Sequence, residues 1–260
     1  MRIKQAAVAG MFYPDNPEEL VQMVKRLLAD NPQVGRLPQA ILVPHAGLIY
    51  SGAIAARAYN LIRPYLNQIK RIVLLGPSHR VPLHGMAVME ADCWRTPLGD
   101  MVLDYRFSEQ LVAAGLVGVN DNVHAQEHCL EVQLPFLQLL KSECSLVPIL
   151  VGQTHILEVY KLIANLLQEP ATLLVISSDL SHFHPYQEAR EIDLETMSKI
   201  SVARSDLRPQ QACGCFALNG LLYYVAQHDW QAEQLAYCNS GDTAGDKNRV
   251  VGYASYAFYR

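Results

Sequence analysis

The sequence predicts an α/β fold, a mostly parallel central sheet flanked by helices, with residues 1–260 forming one domain. Three observations predict it. Four short apolar runs, at residues 40–43, 71–75, 146–150 and 172–176, lack the alternation of a half-exposed strand, as expected of strands buried on both faces. Helical patterns separate these runs, and strand–helix alternation marks crossover connections in a parallel sheet. No repeat, low-complexity segment or Gly/Ser/Pro linker divides the chain, and 260 residues are compatible with one core.

Asp15-Asn16-Pro17-Glu18-Glu19 starts the first helix: a polar cap precedes proline in the first turn, and the acids then face the positive end of the helix dipole. This helix is expected to reach Ala29-Asp30. After the strand at 40–43, Ser51 is expected to cap a helix running to about Ile62. Residues 130–140 read as helical, with Pro135 starting or kinking part of the segment. Helices are expected at about 156–167, 187–202 and 211–226, and residues 249–259 alternate as a final strand.

Composition is that of an ordinary globular protein, 50% hydrophobic and 18% charged. The formal net charge of -4 and the lack of a basic run argue against a nucleic-acid partner. No stretch approaches the ~20 apolar residues of a membrane span. Met1-Arg2-Ile3-Lys4-Gln5 lacks a signal-peptide core, so cytoplasmic localisation is expected. The six cysteines (93, 129, 144, 213, 215 and 238) match neither a disulfide scaffold nor a paired CxxC zinc site, and free, mostly buried thiols are expected.

Chemistry collects where strands end. One run leads into Pro44-His45-Ala46-Gly47, another into Gly76-Pro77-Ser78-His79, and a third into Ser177-Ser178-Asp179-Leu180-Ser181-His182. Ligands of open α/β sheets bind beyond the carboxyl ends of the strands, so these three histidines are expected to converge at one edge. Imidazole is the commonest transition-metal ligand and also shuttles protons near neutrality. A single histidine after a strand is ordinarily structural; three in equivalent places favour a site.

The segment Tyr237-Cys238-Asn239-Ser240-Gly241-Asp242-Thr243-Ala244-Gly245-Asp246 offers a carboxylate and a thiolate, and two histidines with one carboxylate would make the facial arrangement of non-haem iron(II). The ordinary alternative is a surface turn. Residues 124–135 are also dense in polar groups. Glu127 and Glu131, four apart, would share a face of a helix, and the order Glu-His-x-x-Glu is not the HExxH of zincins. Here the alternative is a helix start with acids near its positive end. His84, His155, His184 and His228 have no comparable context, although His155 is placed to open a helix.

Seven motifs in order resemble the Memo family: Gly10-Met11-Phe12-Tyr13-Pro14, Pro44-His45-Ala46-Gly47, Gly76-Pro77-Ser78-His79, Trp94-Arg95-Thr96-Pro97-Leu98-Gly99, Glu127-His128-Cys129-Leu130-Glu131, Ser177-Ser178-Asp179 with His182, and Ser240-Gly241-Asp242. The resemblance runs from about residue 5 to the C-terminus. It implies a fold like that of class III extradiol dioxygenases, which hold iron(II) with two histidines and an acid. Carried over, it implies His45 and His79 as metal ligands with Asp242 as the nearest third. It also implies Glu127 and His128 as an acid–histidine pair, His182 as a second catalytic histidine, and Asp179 as a residue that orients a neighbour. Eukaryotic members have a metal-binding cysteine where Thr243 stands here, which leaves the third ligand open among Asp242, Cys238 and water.

The implied cofactor is iron(II), with copper or zinc as alternatives. The implied partners are an unknown small-molecule substrate and the radical SAM and AMMECR1-like proteins of the same set. No CxxxCxxC motif occurs here, so radical SAM chemistry would belong to a partner. Three functions stay open on sequence: a metal-dependent redox enzyme, a non-catalytic metal- or peptide-binding adaptor, and a zinc hydrolase.

Overall fold

A computed structural model of the chain describes residues 1–29, 35–140, 144–169 and 171–260. In chain order its strands are β1 (Ile3–Lys4), β2 (Ala40–Val43), β3 (Arg71–Pro77), β4 (Met86–Val88), β5 (Cys93–Thr96), β6 (Gly99–Val102), β7 (Gly118–Val119), β8 (Ser145–Val151), β9 (Thr172–Ser177), β10 (His182–His184), β11 (Gln231–Asn239) and β12 (Val250–Tyr259). The helices are α1 (Pro17–Leu27), α2 (Leu48–Ile62), α3 (Tyr105–Ala113), α4 (Asp121–Ala125), α5 (Leu134–Leu139), α6 (Ile156–Leu166), α7 (Tyr186–Ser201) and α8 (Cys215–Gln227).

The unbroken apolar runs form the centre of the main sheet, where β2, β9, β3 and β8 are adjacent and parallel. Side chains along each run alternate between two cores. Ile41, Val43, Ile72 and Leu74 pack on one face with α1, α2 and α5. Ala40, Leu42, Val73 and Leu75 pack on the other with α3, α6, α7 and α8. Helices on both faces explain why these strands carry no polar alternation.

The sheet as a whole is mixed, which corrects the expectation of a largely parallel one. It has nine strands in the order β10-β12-β2-β9-β3-β8-β4-β7, with β11 paired to β12. β12 runs antiparallel to β2, β10 and β11, and β4 runs antiparallel to β8. A separate three-stranded sheet joins β1, β5 and β6.

Local signals explain most element boundaries. The Asn16 side chain accepts from the backbone N–H groups of Glu18 and Glu19 at 2.9 and 3.1 Å, capping α1. α1 ends at Leu27, short of the expected Ala29; Asp30 lies outside the described residues. α2 starts at Leu48 rather than at Ser51, because Gly47 is its N-cap and the Ser51 hydroxyl instead donates back to Ala46 O at 2.9 Å. Pro135 sits in the first turn of α5, after a 3-10 turn at Glu131–Gln133. His155 caps α6, accepting from Leu157 N. All six cysteines are free thiols, four of them buried.

Glu131 is fully buried and shares no helical face with Glu127. Its carboxylate accepts from the backbone N–H groups of Ala7 and Val8 and from the Tyr13 hydroxyl at 2.7 Å, so it ties the N-terminal segment to the core.

His124, on α4, is 1% exposed, and its Nε2–H donates to Ala87 O at 2.9 Å. Burial pushes its pKa down from 6.5 to about 4. The unfolded chain therefore binds a proton below pH 6.5 that the native chain refuses until about pH 4. Stability is expected to fall as pH drops through this window, by up to roughly 3 kcal/mol at its acid end. Denaturant melts between pH 4 and 7 check this: His124→Gln should flatten the profile, and an unchanged slope would assign the effect elsewhere.

Candidate metal centre

The β2, β9 and β3 strands are neighbours, with Val43 opposite Ser177 and Leu75 opposite Ile176. Their carboxyl ends therefore reach one edge together. Beyond that edge lies an open cavity of about 750 Å³, lined among others by His45, His79, His128, Asp179 and His182. Gly76 permits the close approach of the turn carrying His128: a Cβ there would stand 2.7 Å from Leu130 Cδ2 and 2.8 Å from Cys129 Sγ.

Three imidazoles make the floor. His45, His79 and His128 each offer a ring nitrogen, and these nitrogens lie within 4.8 Å of one another. The ring centroids are 4.7–5.4 Å apart.

Hydrogen bonds behind the rings set the tautomers. Ser177 Oγ donates its one proton to Cys129 O at 2.7 Å and accepts from Gln133 Nε2 at 3.0 Å. Its remaining contact is with His45 Nδ1 at 3.0 Å, so Nδ1 is the protonated nitrogen and Nε2 carries the lone pair. Burial, followed by repulsion from His79 and His128, holds the His45 pKa well below 6.5 and keeps the ring neutral. The His45 backbone N–H donates to Asp179 Oδ1 at 2.7 Å.

Glu127 performs the same task for His79. It accepts from His79 N at 2.5 Å and from His79 Nδ1–H at 2.9 Å, leaving Nε2 of that ring as the free donor. It also accepts from the backbone N–H groups of His128 and Cys129. Burial opposes ionisation of Glu127, but the bonds from His128 and His79 outweigh it and hold the carboxyl far below its usual range. Both oxygens are engaged, so Glu127 is an orienting carboxylate behind the imidazoles. The His128 ring turns its Nδ1 to the same carboxylate, 3.1 Å from Glu127 Oε1.

Asp179 is buried beside this floor, and burial raises its pKa; attraction to His182 is the strongest influence opposing that rise. His182 reaches the cavity from β10, where it pairs with Val251. The next residue, Phe183, holds φ +64° while 60% exposed. A bulky side chain in the left-handed region costs of order 1–2 kcal/mol, and such strain gathers at functional sites.

Asp242 is not part of the cluster. Its Oδ1 accepts from the Tyr186 hydroxyl at 2.6 Å and its Oδ2 from Asn239 N at 3.1 Å, within a capping box. Cys238, on β11, and Thr243, whose hydroxyl donates to Ser240 O, also lie outside the group of donor nitrogens. The third nitrogen near His45 and His79 belongs to His128, expected from sequence to be catalytic. Cys129 stands near His79 and Glu127, but its thiol is buried and donates to Pro77 O at 3.0 Å. His184 is held by Glu188 at 2.7 Å, and His228 stacks on Tyr224.

Sequence reasoning missed Cys213. Its Sγ lies 3.3 Å from His45 Nε2 and accepts from Asp179 N at 3.3 Å. Because Nε2 carries the lone pair, the thiol donates to it. No local motif marks Cys213, which precedes α8 and reaches the site only through the fold.

The family described as Memo-like protein matches residues 4–257. A MEMO1 family protein of Aquifex aeolicus is 36% identical, over 99% of this chain and 100% of its own. One from Methanosarcina barkeri is 35% identical, over 97% and 98% respectively. Among solved structures, an uncharacterized protein of Escherichia coli K12 (JW3007) superposes with a TM-score of 0.54 at 13% identity, over 86% of this chain and all of its own, a likeness of fold. No helix among the described residues is long and apolar enough to cross a membrane.

Proposed function

The chain belongs to the Memo-like family, and from that premise we propose that its three-histidine pocket is a non-haem metal centre, of iron(II) or copper type, for redox chemistry on a small organic molecule. One observation carries the reading: three ring nitrogens within 4.8 Å, two of them left with their lone pairs by hydrogen bonds that protonate the opposite nitrogen. Metal-ligating histidines ordinarily show this second layer of bonding.

The donor set fits the metal. Neutral imidazole suits iron, copper and zinc alike, and three protein nitrogens at an open cavity leave positions for other ligands. A bound ion would supply Lewis acidity or an electron path. His45, His79 and His128 would hold it. Glu127 and Ser177 orient two of those rings. Asp179 fixes the His45 backbone, and His182 stands where it could move a proton to or from a molecule in the cavity. The likeness to class III extradiol dioxygenases read in the sequence supports redox chemistry over hydrolysis. The radical SAM and AMMECR1-like proteins implied by the sequence resemblance remain proposed partners, and the cytoplasm the proposed compartment.

Anaerobic purification with metal analysis, followed by oxygen-uptake assays over a panel of small organic molecules, tests this reading. About one iron or copper per chain together with substrate-dependent uptake supports it. Zinc alone with hydrolysis, or a metal held with no turnover of any kind, would replace it with the hydrolase or storage reading.

A further inference from the structure

Above the histidine floor, the same cavity carries two guanidinium groups and an apolar wall that the metal-binding reading leaves unexplained. Arg80 follows His79 directly on the loop after β3, Arg249 precedes β12, and both line the cavity. Both are exposed at the cavity. Among the described residues neither has a carboxylate within ion-pair distance.

The same lining is partly aromatic. Phe12, Tyr50, Phe183 and Tyr253 line the cavity. The Arg249 guanidinium lies 5.0 Å from the Phe183 ring centroid, and Phe183 is the residue held in the left-handed region. One acid, Asp246, shares this rim, but its carboxylate already accepts from the backbone and side-chain N–H groups of Asn248 at 3.0–3.2 Å. Asp179 lies below, buried against His45.

Resting on the metal-centre reading for the floor, we propose that the cavity takes a small aryl carboxylate, its carboxylate held by Arg80 and Arg249 and its ring lying along Phe183 toward the histidines. The planar fork of arginine matches a carboxylate with two parallel hydrogen bonds, and charge-assisted bonds of this kind are the stronger class. The aromatic wall stacks a flat ring while leaving its far edge over the imidazoles.

Calorimetric titration with benzoate, its neutral isostere benzamide, and inorganic phosphate tests the proposal on the wild-type protein and on Arg80→Gln, Arg249→Gln and the double variant. Benzoate should bind about tenfold or more tightly than benzamide, and the double variant should lose that preference while keeping the wild-type thermal midpoint. Phe183→Ala should weaken benzoate and benzamide together. Equal affinity for benzoate and benzamide, or an unchanged preference in the double variant, overturns the assignment. Phosphate binding as tight as benzoate also overturns it, in favour of a simple oxyanion site. The same titrations on chelator-treated protein keep the two readings apart. Arginine-dependent benzoate binding with no metal retained by the wild type would fail the metal centre and leave this site standing. A loaded metal with no charge preference would fail this site alone.

Discussion

Replacing His79 or His128 with alanine is expected to weaken metal binding by at least about a hundredfold, because removing a direct ligand should exceed the 10–100-fold loss typical of second-layer changes. These two variants are cleaner than His45→Ala. His45 is 1% exposed and completes the hydrogen bonding of Ser177, so its truncation also leaves a cavity and an unmatched acceptor. Glu127→Gln should fall between wild type and the ligand variants, since one amide oxygen cannot accept all the N–H groups the carboxylate now serves. Asp242→Asn should retain full metal, because its carboxylate serves Tyr186 and Asn239 away from the cluster. Iron(II) or copper(I) titration under anaerobic conditions, with thermal melts to verify folding, gives the comparison. Metal retained in His128→Ala and lost in Asp242→Asn would reinstate the two-histidine, one-carboxylate set and discard the three-histidine one. Affinity should also drop on acidification, since the ligating imidazoles must be neutral.

The contrast between His128 and Asp242 shows where reading a sequence for this site succeeds and where it stops. His45 and His79 were legible because strand ends are local features and the parallel order of β2, β9 and β3 brings them together. Asp242 carried suitable chemistry but also a competing local pattern. Asn239-Ser240-Gly241-Asp242 has the spacing of a capping box, and that short-range use took the carboxylate. His128 gave only an adjacent Glu-His pair, and its place beside His79 depends on the close approach at Gly76. Cys213 gave no signal at all.

The fold divides in the same way. Central strands were visible because burial on both faces removes polar alternation. β11 was not, because its exposed sequence Gln231-Ala232-Glu233-Gln234 reads as polar loop and becomes a strand only by pairing with β12. The antiparallel direction of β12 is a property of chain path, and no residue within the strand encodes it.

His182→Ala is expected to cut turnover by roughly 10²–10⁴, the range for losing a general acid–base group, while leaving metal content near wild type. His182 lines the cavity but lies outside the three-nitrogen group, so the structure separates it from the proposed ligands. Its attraction to Asp179 is the leading influence favouring that buried carboxylate's ionised form. Asp179→Asn, which removes that attraction, should reduce turnover as well. Asp179 also accepts the His45 backbone N–H, which an asparagine oxygen can still do, so metal should be retained in that variant. The two readouts are taken on one preparation: metal bound per chain, and oxygen uptake with whichever substrate supports it. If His182→Ala loses metal in step with His128→Ala, His182 is a fourth ligand and the centre is a closed one suited to storage. If it keeps both metal and turnover, proton transfer in this pocket runs through another group, and Asp179 becomes the nearest buried candidate.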